Sequence, residues 1–313
     1  MNIYYIVLVF FLTAKISFGQ NLDKVDSITS KYKINFYTSP KRIAKRINRD
    51  FESELEKARA IYTFIALNIE YNRRAERFIF KYKNRNKQRR KLRKRKEYIA
   101  RYTLKQGIAV CEGYSILFKH LADIMGLECQ IVTGRSKGNK TDLGKLPSIN
   151  HSWNEIKIDG KWYLIDVTWG SGFVNNNKYT PSYNDFYFQT DPIKFYLSHH
   201  PTDGNKIHST YTDSQFKMMP LYSSYFLSSE MELVFPEIGE INLEGEEIKI
   251  GVRGEVGDFY YNYGISKAGQ KIQVSYDGDV MLLKIPTPKD QSKYLNIYHN
   301  RQHIVTFLII RKK

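Results

Sequence analysis

Cysteine is scarce in this chain: only Cys111 and Cys129 occur among 313 residues. A fold held by several disulfides, or a zinc site built from CxxC pairs, needs more cysteines than this. The HExxH pattern is absent as well, so we predict no metal site and no cofactor. Cys129, in the apolar stretch LECQIVTG, is expected in a buried strand. A Cys111–Cys129 disulfide is the alternative, and it would make the protein inactive or redox-controlled.

Long apolar runs are also missing, because none after the N-terminus could cross a bilayer. The run from Ile3 to Ala14 is too short to span one comfortably, and the small residues Ser17 and Gly19 precede Gln20. This pattern is typical of a cleaved export signal, although its first residues lack Lys and Arg. We therefore expect a signal peptide over residues 1–19, a secreted or periplasmic protein, and no membrane span after cleavage. An uncleaved N-terminal anchor is the alternative.

Acidic residues are few beside basic ones, with 32 Asp and Glu against 49 Lys and Arg, which gives a net charge of +17. Most of the excess is local. Residues 73–101 contain 15 Lys or Arg and only Glu76 and Glu97, so this basic insertion carries +13. Such a block can bind an anionic surface partner, or it can be a solvated helical arm without a ligand. Specific nucleic-acid recognition is not expected, since no binding fold is apparent and aromatics are sparse in the block.

The stretch Leu104–Gly170 contains the residues that are most informative about function. From Cys111 onwards, apolar residues recur at the spacing of a helix with one buried face; they are Tyr114, Leu117, Phe118, Leu121, Ile124 and Met125. Gly107 breaks the chain before this helix, and Gly126 is expected to end it. Cys111 is thus predicted at a helix N-terminus, where unpaired N–H groups and the positive dipole end favour a thiolate.

Asp159-Gly160 lies between two strand-like runs and predicts a hairpin with a two-residue turn. If Ile158 pairs with Lys161, Trp153 faces Asp166 and His151 faces Thr168 across the ladder. His151 and Asp166 are then diagonal neighbours on one face, about 7 Å apart at Cβ. We therefore predict Cys111 as nucleophile, His151 as base and Asp166 as the group that orients the imidazole. The alternative is packing roles for these residues in a fold kept for binding.

The stretches AVCEGYSILFKHLADIMGLECQIVTG and HSWNEIKIDGKWYLIDVTWG resemble the transglutaminase-like superfamily, in particular its kyphoscoliosis-peptidase and cytokinesis-protein branch. The family's catalytic Cys, His and Asp fall on Cys111, His151 and Asp166. The resemblance implies an α+β, papain-like or transglutaminase-like core with N-terminal helices packed on an antiparallel sheet. A helix over Glu54–Asn68 and the segment YFQTDPIKF extend it to about residues 50–200. The basic insertion departs from the family pattern.

The predicted organisation is a signal peptide (1–19), a transglutaminase-like domain (20–222) with the basic insertion (73–101), and a β-sandwich-like domain (223–313). Ser39-Pro40 is a helix start. Beyond residue 222, short alternating runs are separated by Gly, Asp-Gly and Asn turns. Residues 170–180 are interpreted as a polar loop. His199 and His200 are adjacent and should point apart if extended.

The expected chemistry is attack of Cys111 on a protein or peptide amide through a thioester. The Cys111 N–H and, as a weaker candidate, Gln106 are assigned to the oxyanion site, and Trp153 could wall the cleft or simply pack. The triad does not identify the acyl acceptor. Water makes the protein a peptidase or amidase, which we prefer because we see no acidic groove for a lysine. A lysine amine makes it a cross-linking transglutaminase. A non-catalytic cell-surface binding or assembly module is the third hypothesis.

Overall fold

The structure is a computed structural model that describes residues 22–37, 39–76, 89–175, 177–202, 204–264 and 269–311, the side chains of 89–93 excepted. The predicted signal peptide and residues 77–88 of the basic insertion lie outside the described residues. Among the helices that are described, none combines the length and the apolar character that crossing a membrane requires.

The chain divides into two compact units. The first takes the described chain up to Val132, with Ser152–Thr190 and Gly204–Ile207. The second takes Thr133–His151, Asp191–Asp203 and the chain from His208 onwards. The division crosses one strand between His151 and Ser152, and the domain boundary predicted at residue 222 falls inside the second unit.

The first unit begins with helices. Residues 22–29 form α1, Pro40–Asp50 form α2, and Glu54–Asn68 form α3. The helix starts predicted at Ser39-Pro40 and at Glu54 are confirmed. Ser53 and Glu56 close a capping box at the start of α3, which satisfies two backbone N–H groups there. Helix α3 is buried on nearly all sides, so it backs the core rather than lying on the surface.

The described part of the basic insertion ends in helix α4, Arg89–Gln106. Gly107 follows in the left-handed region (φ +66°) and turns the chain out of the helix. Strand β2, Ile108–Ala109, then pairs in parallel with β1, Glu70–Tyr71. Both ends of the insertion are therefore anchored next to each other, immediately before Cys111.

Helix α5 runs from Cys111 to Ile124, as predicted. Gly126 (φ +79°) follows its end, and the Leu127 N–H donates to the Ala122 carbonyl at 3.0 Å, as in a Schellman motif. The helix leads into a five-stranded sheet in the order β8-β5-β4-β3-β9. Its strands are β3 (Cys129–Ser136), β4 (His151–Ile158), β5 (Lys161–Ile165), β8 (Phe188–Thr190) and β9 (His199–Pro201).

The β4–β5 hairpin has the predicted register. Ile158 pairs with Lys161, and both turn residues, Asp159 (φ 48°) and Gly160 (φ 82°), are left-handed as a type I′ turn requires. The ladder ends at Asn154 and Ile165. The prediction that it continues to Asp166 and Thr168 is wrong, because residues Val167–Ser171 turn into a short helix, α6.

Residues 170–180 are not a plain loop, because β6 (Gly172–Asn175) and β7 (Lys178–Pro181) form a second hairpin. Three further short α-helices are α7 (Pro192–Tyr196), α8 (Asp213–Met218) and α9 (Ser224–Ser228).

The C-terminal region is a small β domain of two sheets. One has the order β11-β13-β17-β16, formed by Glu232–Phe235, Glu247–Arg253, Val280–Pro286 and Val274–Asp277. The other has the order β10-β19-β18-β14-β15, with β12 also on β19; its strands are Leu221–Tyr222, Gln302–Ile310, Tyr294–His299, Phe259–Tyr263, Gln270–Lys271 and Glu240–Asn242. The molecule is therefore α+β with a C-terminal β domain, as the sequence predicts.

Candidate active site

Cys111 is the first residue of α5, and its thiol is free and partly exposed. The N-cap residue, Val110, has an extended backbone (φ −108°, ψ 174°) and no side-chain capping bond. Cys111 therefore lies at the positive end of the helix dipole, which favours a thiolate over a thiol. Cys129, in contrast, is a free thiol buried in β3, and burial raises the pKa of its thiol. Because both thiols are free, the alternative Cys111–Cys129 disulfide is wrong.

The C-x-G-Y motif has a packing explanation. A Cβ added to Gly113 would lie 2.9 Å from Ala109 Cβ and 3.1 Å from Thr103 Oγ1, which leaves room only for glycine. Tyr114 is fully buried and donates from its hydroxyl to the Ile69 carbonyl at 2.6 Å. The first turn of α5 is thus pressed against β2 and α4 and fastened to the end of α3, which fixes the position of Cys111.

Ser115 links this turn to the sheet. Its buried hydroxyl lies 2.9 Å from the Cys111 carbonyl and 2.9 Å from the Ser152 carbonyl. Asn154 adds a second link, because its amide donates to the Ser115 carbonyl at 3.1 Å. The start of the nucleophile helix is therefore held beside the strand residue that follows His151.

His151 is the first residue of β4 and is buried. The preceding residue, Asn150, holds this end of the strand, because its side chain accepts from the Ser136 N–H at 2.7 Å and donates to the Ser136 carbonyl at 3.0 Å. The Asn150 N–H also donates to the Gly134 carbonyl at 3.1 Å. These bonds fix the backbone from which the imidazole projects.

Asp166 leaves β5 and caps α6. One carboxylate oxygen, Oδ1, accepts the N–H groups of Thr168 at 2.8 Å and Trp169 at 3.2 Å. The side chain is completely buried, so these two bonds compensate for much of its lost hydration. Gly170 is required here, since a Cβ at this position would overlap the Tyr62 hydroxyl. The D-x-T-W-G sequence therefore encodes a capped turn that orients the carboxylate.

His151 has a second buried histidine, His199, as its neighbour. The centroids of the two imidazole rings lie 5.3 Å apart, with the ring planes at 48°. The sequence analysis did not include His199 in the site.

Tyr71 is a second residue that the sequence analysis missed. It lies on β1, partly buried, with Ala109 as its strand partner. Burial, and next the charge of a Cys111 thiolate, raise the pKa of Tyr71 to about 12. Its phenol therefore stays protonated near the sulfur at neutral pH and is a hydrogen-bond donor suited to an oxyanion. Its only sequence signal is its place in NIEYN, after α3.

Gln106 and Trp153, the two other predicted site residues, and the nearby Trp169 differ in their environments. Gln106 is exposed at the C-terminal end of α4, so its oxyanion role stays a prediction. Trp153 is 1% exposed, which places its ring in the interior rather than on an open cleft wall. Trp169 packs edge-on against Tyr187, with ring centroids 5.7 Å apart.

Comparison with known proteins assigns part of the chain to a family. Residues 41–167 match the model of the transglutaminase-like superfamily. Kyphoscoliosis peptidase of Mus musculus is 30% identical over 225 residues, which cover 70% of this chain and 32% of the relative. Cytokinesis protein 3 of Saccharomyces cerevisiae is 30% identical over 133 residues, or 39% of this chain and 15% of the relative.

A solved structure described as a crystal structure of a TGase is 20% identical and covers 61% of this chain and 44% of its own, with a TM-score of 0.28. The chain spans about a third of the length of kyphoscoliosis peptidase. Residues 41–167 form a transglutaminase-like superfamily domain, with kyphoscoliosis peptidase and cytokinesis protein 3 among its relatives.

Proposed function

We propose that this protein is a cysteine enzyme that acts on protein or peptide amides through a thioester, with hydrolysis as its main reaction. The main support is that Cys111, at a helix N-terminus, is linked through Ser115 to the strand that begins at His151. The Ser115 hydroxyl makes this link, and Asp166 is a buried carboxylate whose orientation is fixed by the turn after β5. A transglutaminase-like domain and a peptidase among the relatives support it.

In the first half of the reaction, Cys111 Sγ attacks the amide carbonyl while His151 takes the thiol proton. Asp166 keeps the imidazole oriented and stabilises the imidazolium. The Cys111 N–H, with Tyr71, would stabilise the oxyanion. The C–N bond then breaks, the leaving amine receives the proton from His151, and a thioester remains on Cys111.

In the second half, an acceptor attacks the thioester and gives a proton to His151. Water yields a carboxylic acid and the free thiol, whereas a lysine amine yields a cross-linked amide. A described groove on the first unit, lined by residues of α2, α4 and α5, has more basic than acidic side chains. This groove would repel an ammonium group, so it is not suited to hold a lysine acceptor.

A peptide library, incubated with and without added amine and read by mass spectrometry, tests this proposal. Hydrolysis gives cleaved or deamidated peptides whose masses do not depend on the amine, and cross-linking gives amine adducts. Cys111→Ala should remove either product while the protein stays folded, and Cys129→Ala is the matched control. Products that persist in Cys111→Ala would contradict Cys111 as the nucleophile. No product with any peptide would favour the third hypothesis, a non-catalytic binding module.

We further propose that the groove binds an acidic segment of the protein substrate. Its volume is about 680 Å³, and its polar lining is Lys41, Lys96, Glu97, Arg101, Lys119, His120 and Asp123, with Ser39 at the start of α2. Glu97 is paired with Arg101 at 2.9 Å and Asp123 with Lys119 at 2.7 Å. Lys41 and Lys96 have no ion-pair partner among the described residues. Lys119 is eight residues from Cys111, about 12 Å along the helix axis, which a short extended peptide can cover.

Anisotropy of a fluorescein-labelled polyglutamate peptide measures this binding. Lys41→Gln/Lys96→Gln should weaken it about tenfold, because two charge contacts are lost. Lys249→Gln/Lys284→Gln is the control, since these exposed lysines pair across the β13–β17 ladder in the second unit. Equal loss in both double variants would indicate nonspecific attraction by net charge. Tighter binding of RNA than of polyglutamate would contradict an acidic peptide as ligand.

We propose, finally, that the protein is secreted or periplasmic through residues 1–19. N-terminal sequencing of the exported protein should begin at Gln20. A start at Met1 would indicate the uncleaved anchor.

A further inference from the structure

The β6–β7 hairpin is fixed at its base to the nucleophile helix, and both belong to the first unit. Ser171, the buried residue before β6, has its hydroxyl 3.3 Å from the Tyr114 hydroxyl in the first turn of α5. The Tyr179 hydroxyl of β7 donates to the Ser171 carbonyl at 2.8 Å. Gly172 (φ +152°) is required where β6 begins, because a Cβ there would overlap the Thr180 carbonyl. The first residues of β6 therefore have a defined position relative to α5.

The hairpin also lies beside strand β1. Both of its strands contact β1, which carries Tyr71 and pairs with β2. Strand β2 ends at Ala109, two residues before Cys111. Because an extended residue spans about 3.3 Å, a short peptide along the hairpin can place one of its amides at the sulfur.

Two adjacent apolar side chains of β6 are open to solvent. Phe173 is 54% exposed and Val174 is 47% exposed, whereas the exposed residues around them, Asn175, Lys178 and Thr180, are polar. Successive side chains of a strand point to opposite faces, so this pair presents one apolar group on each face of the hairpin. Contact with water costs both groups free energy that burial by a ligand would recover.

The outer edge of β6 is unpaired, since among the described strands only β7 pairs with it. The Ser182 N–H donates to the Ser171 carbonyl at 3.0 Å, and hydrogen-bonded pairs alternate along an antiparallel ladder. Phe173 therefore bonds to its ladder partner Thr180, and Val174 directs its own N–H and carbonyl outward. An edge of this kind accepts an extended peptide as an added strand.

We propose that the outer edge of β6 binds the substrate as an added strand, next to the amide that Cys111 attacks, and selects two consecutive apolar residues. This inference rests on the proposed function and names a feature of its substrate. Bonds to the Val174 N–H and carbonyl align the peptide main chain. One substrate side chain then packs beside Val174, and its neighbour packs beside Phe173 on the opposite face. The acidic segment proposed for the groove is a separate part of the substrate.

A substrate suits this edge better than a second copy of the chain. Strand β6 has four residues, Gly172–Asn175. Pairing over so short an edge buries far less than the roughly 1,200 Å² of a stable interface between two proteins. A substrate needs less affinity, because the thioester then holds it on Cys111 and the edge has only to orient it.

Fluorescence anisotropy of labelled peptides tests the inference in the Cys111→Ala protein, which binds without turnover. One peptide of Gly and Ser carries a central Leu-Leu pair, and a second peptide carries Ser-Ser there. The Leu-Leu peptide should bind about tenfold more tightly, since two apolar side chains are covered. Phe173→Ser/Val174→Ser should remove this preference. Phe36→Ser/Leu67→Ser is the matched control, because these residues are 71% and 46% exposed in the same unit, and it should keep the preference.

N-methylation of the Leu-Leu peptide separates strand addition from simple apolar contact and needs no further variant. Every second residue of an added strand bonds to β6. Methylation of alternate N–H groups should therefore abolish binding in one register and weaken it at most about twofold in the other. Equal binding of the two methylated peptides would overturn the inference, as would a Leu-Leu preference that survives in Phe173→Ser/Val174→Ser.

Analytical ultracentrifugation tests the second copy as occupant. A dimer of the parent that dissociates in Phe173→Ser/Val174→Ser would contradict the inference, and a monomer in both proteins agrees with it. In the peptide library, Cys111-dependent products should carry two adjacent apolar residues beside the altered amide, and the double variant should lose this preference through KM with kcat retained. Products without the preference would refute the role of the edge alone. Peptide binding at the edge without any product would refute only the enzyme hypothesis.

Discussion

Asp166 has two tasks that use its two oxygens differently. Oδ1 caps α6 through Thr168 and Trp169, so the second oxygen is the one suited to an imidazole N–H. Asp166→Asn keeps a capping oxygen but changes the charge and the hydrogen-bond pattern that the histidine meets. We expect kcat to fall roughly a thousandfold or more, with KM and the fold retained. Steady-state kinetics and thermal unfolding measure the two effects.

Asp191→Asn is a matched control for this prediction. Asp191 also caps a short helix, α7, by accepting from the Ile193 N–H at 2.7 Å, but it is exposed. Its substitution should leave kcat unchanged. A similar loss of activity in both variants would mean that capping, rather than orientation of His151, explains the effect.

Tyr71 permits a test of the oxyanion site. Its phenol stays protonated because burial and the nearby sulfur raise the pKa of Tyr71 to about 12. Tyr71→Phe removes the hydroxyl alone, and we expect kcat to fall roughly a hundredfold, as for the loss of one oxyanion donor. Tyr102→Phe, on α4, should have no such effect. An unchanged kcat in Tyr71→Phe would mean that the oxyanion is stabilised without this phenol, by the backbone N–H groups of α5.

At the scale of elements, the contact of α5 with β2 decides where Cys111 lies. Gly113→Ala would place a methyl group 2.9 Å from Ala109 Cβ. We expect a loss of about 1–3 kcal/mol in the free energy of unfolding, as for other overpacked sites, together with slower alkylation of a displaced Cys111. Urea denaturation and thiol labelling provide the two measurements.

The second substitution Ala109→Gly removes the atom that clashes. Gly113→Ala/Ala109→Gly should recover part of the stability and of the labelling rate. If Gly113→Ala were neutral by itself, the close packing of this turn could not be what fixes the nucleophile.

The elements nearest the site were largely predictable, because their signals are local. Asp159-Gly160 fixes the turn type and thereby the register down to Asn154 and Ile165. The apolar spacing after Cys111, with Gly126 at its end, defines α5. The departure of Asp166 from the ladder was missed, although Asp is also a preferred N-cap residue of helices.

His199 could not be found in this way. It is distant from His151 in sequence, and only the sheet order, with β3 and β9 adjacent, places it next to His151. The β6–β7 hairpin was missed because its residues are mostly exposed and lack the apolar–polar alternation that predicts strands.

At the scale of the whole molecule, one histidine in the C-terminal sheets makes the stability of the fold sensitive to acid. His303, on β19, lies with Nε2 2.8 Å from Thr306 Oγ1. Burial, and next the positive charge of Lys140, lower the pKa of His303 to about 4. In the unfolded chain this histidine takes up a proton near pH 6.5. The unfolded state therefore binds more protons between pH 6.5 and 4, and stability falls as the pH drops through that window.

We expect this single group to remove about 2 kcal/mol from the free energy of unfolding between pH 7 and pH 4, allowing for its partial exposure. His303→Gln retains a polar partner for Thr306 but does not titrate, so it should lose less stability over the same range. Urea denaturation of both proteins at several pH values measures the difference. Parallel pH dependences would contradict the assignment.

The α+β fold class could be predicted from the composition and the residue pattern, whereas the division into two compact units could not. The helices up to α5, the buried sheet and the C-terminal strands are each predicted by local periodicity. The second unit, however, gathers residues 133–151 with the chain after His208. Contacts between residues far apart in sequence support that grouping, such as the bonds from Lys137 to the carbonyls of Lys217 and Met219. A local sequence pattern does not predict such contacts.

The central claim is that Cys111 is a nucleophile activated by His151. The most direct measurement is the rate of iodoacetamide alkylation of each cysteine at pH 6, followed by peptide mass spectrometry in the parent and in His151→Gln. The account predicts that Cys111 reacts much faster than the buried Cys129 and that His151→Gln slows Cys111 at least about tenfold without unfolding the protein. Equal rates for Cys111 in the two proteins would contradict it.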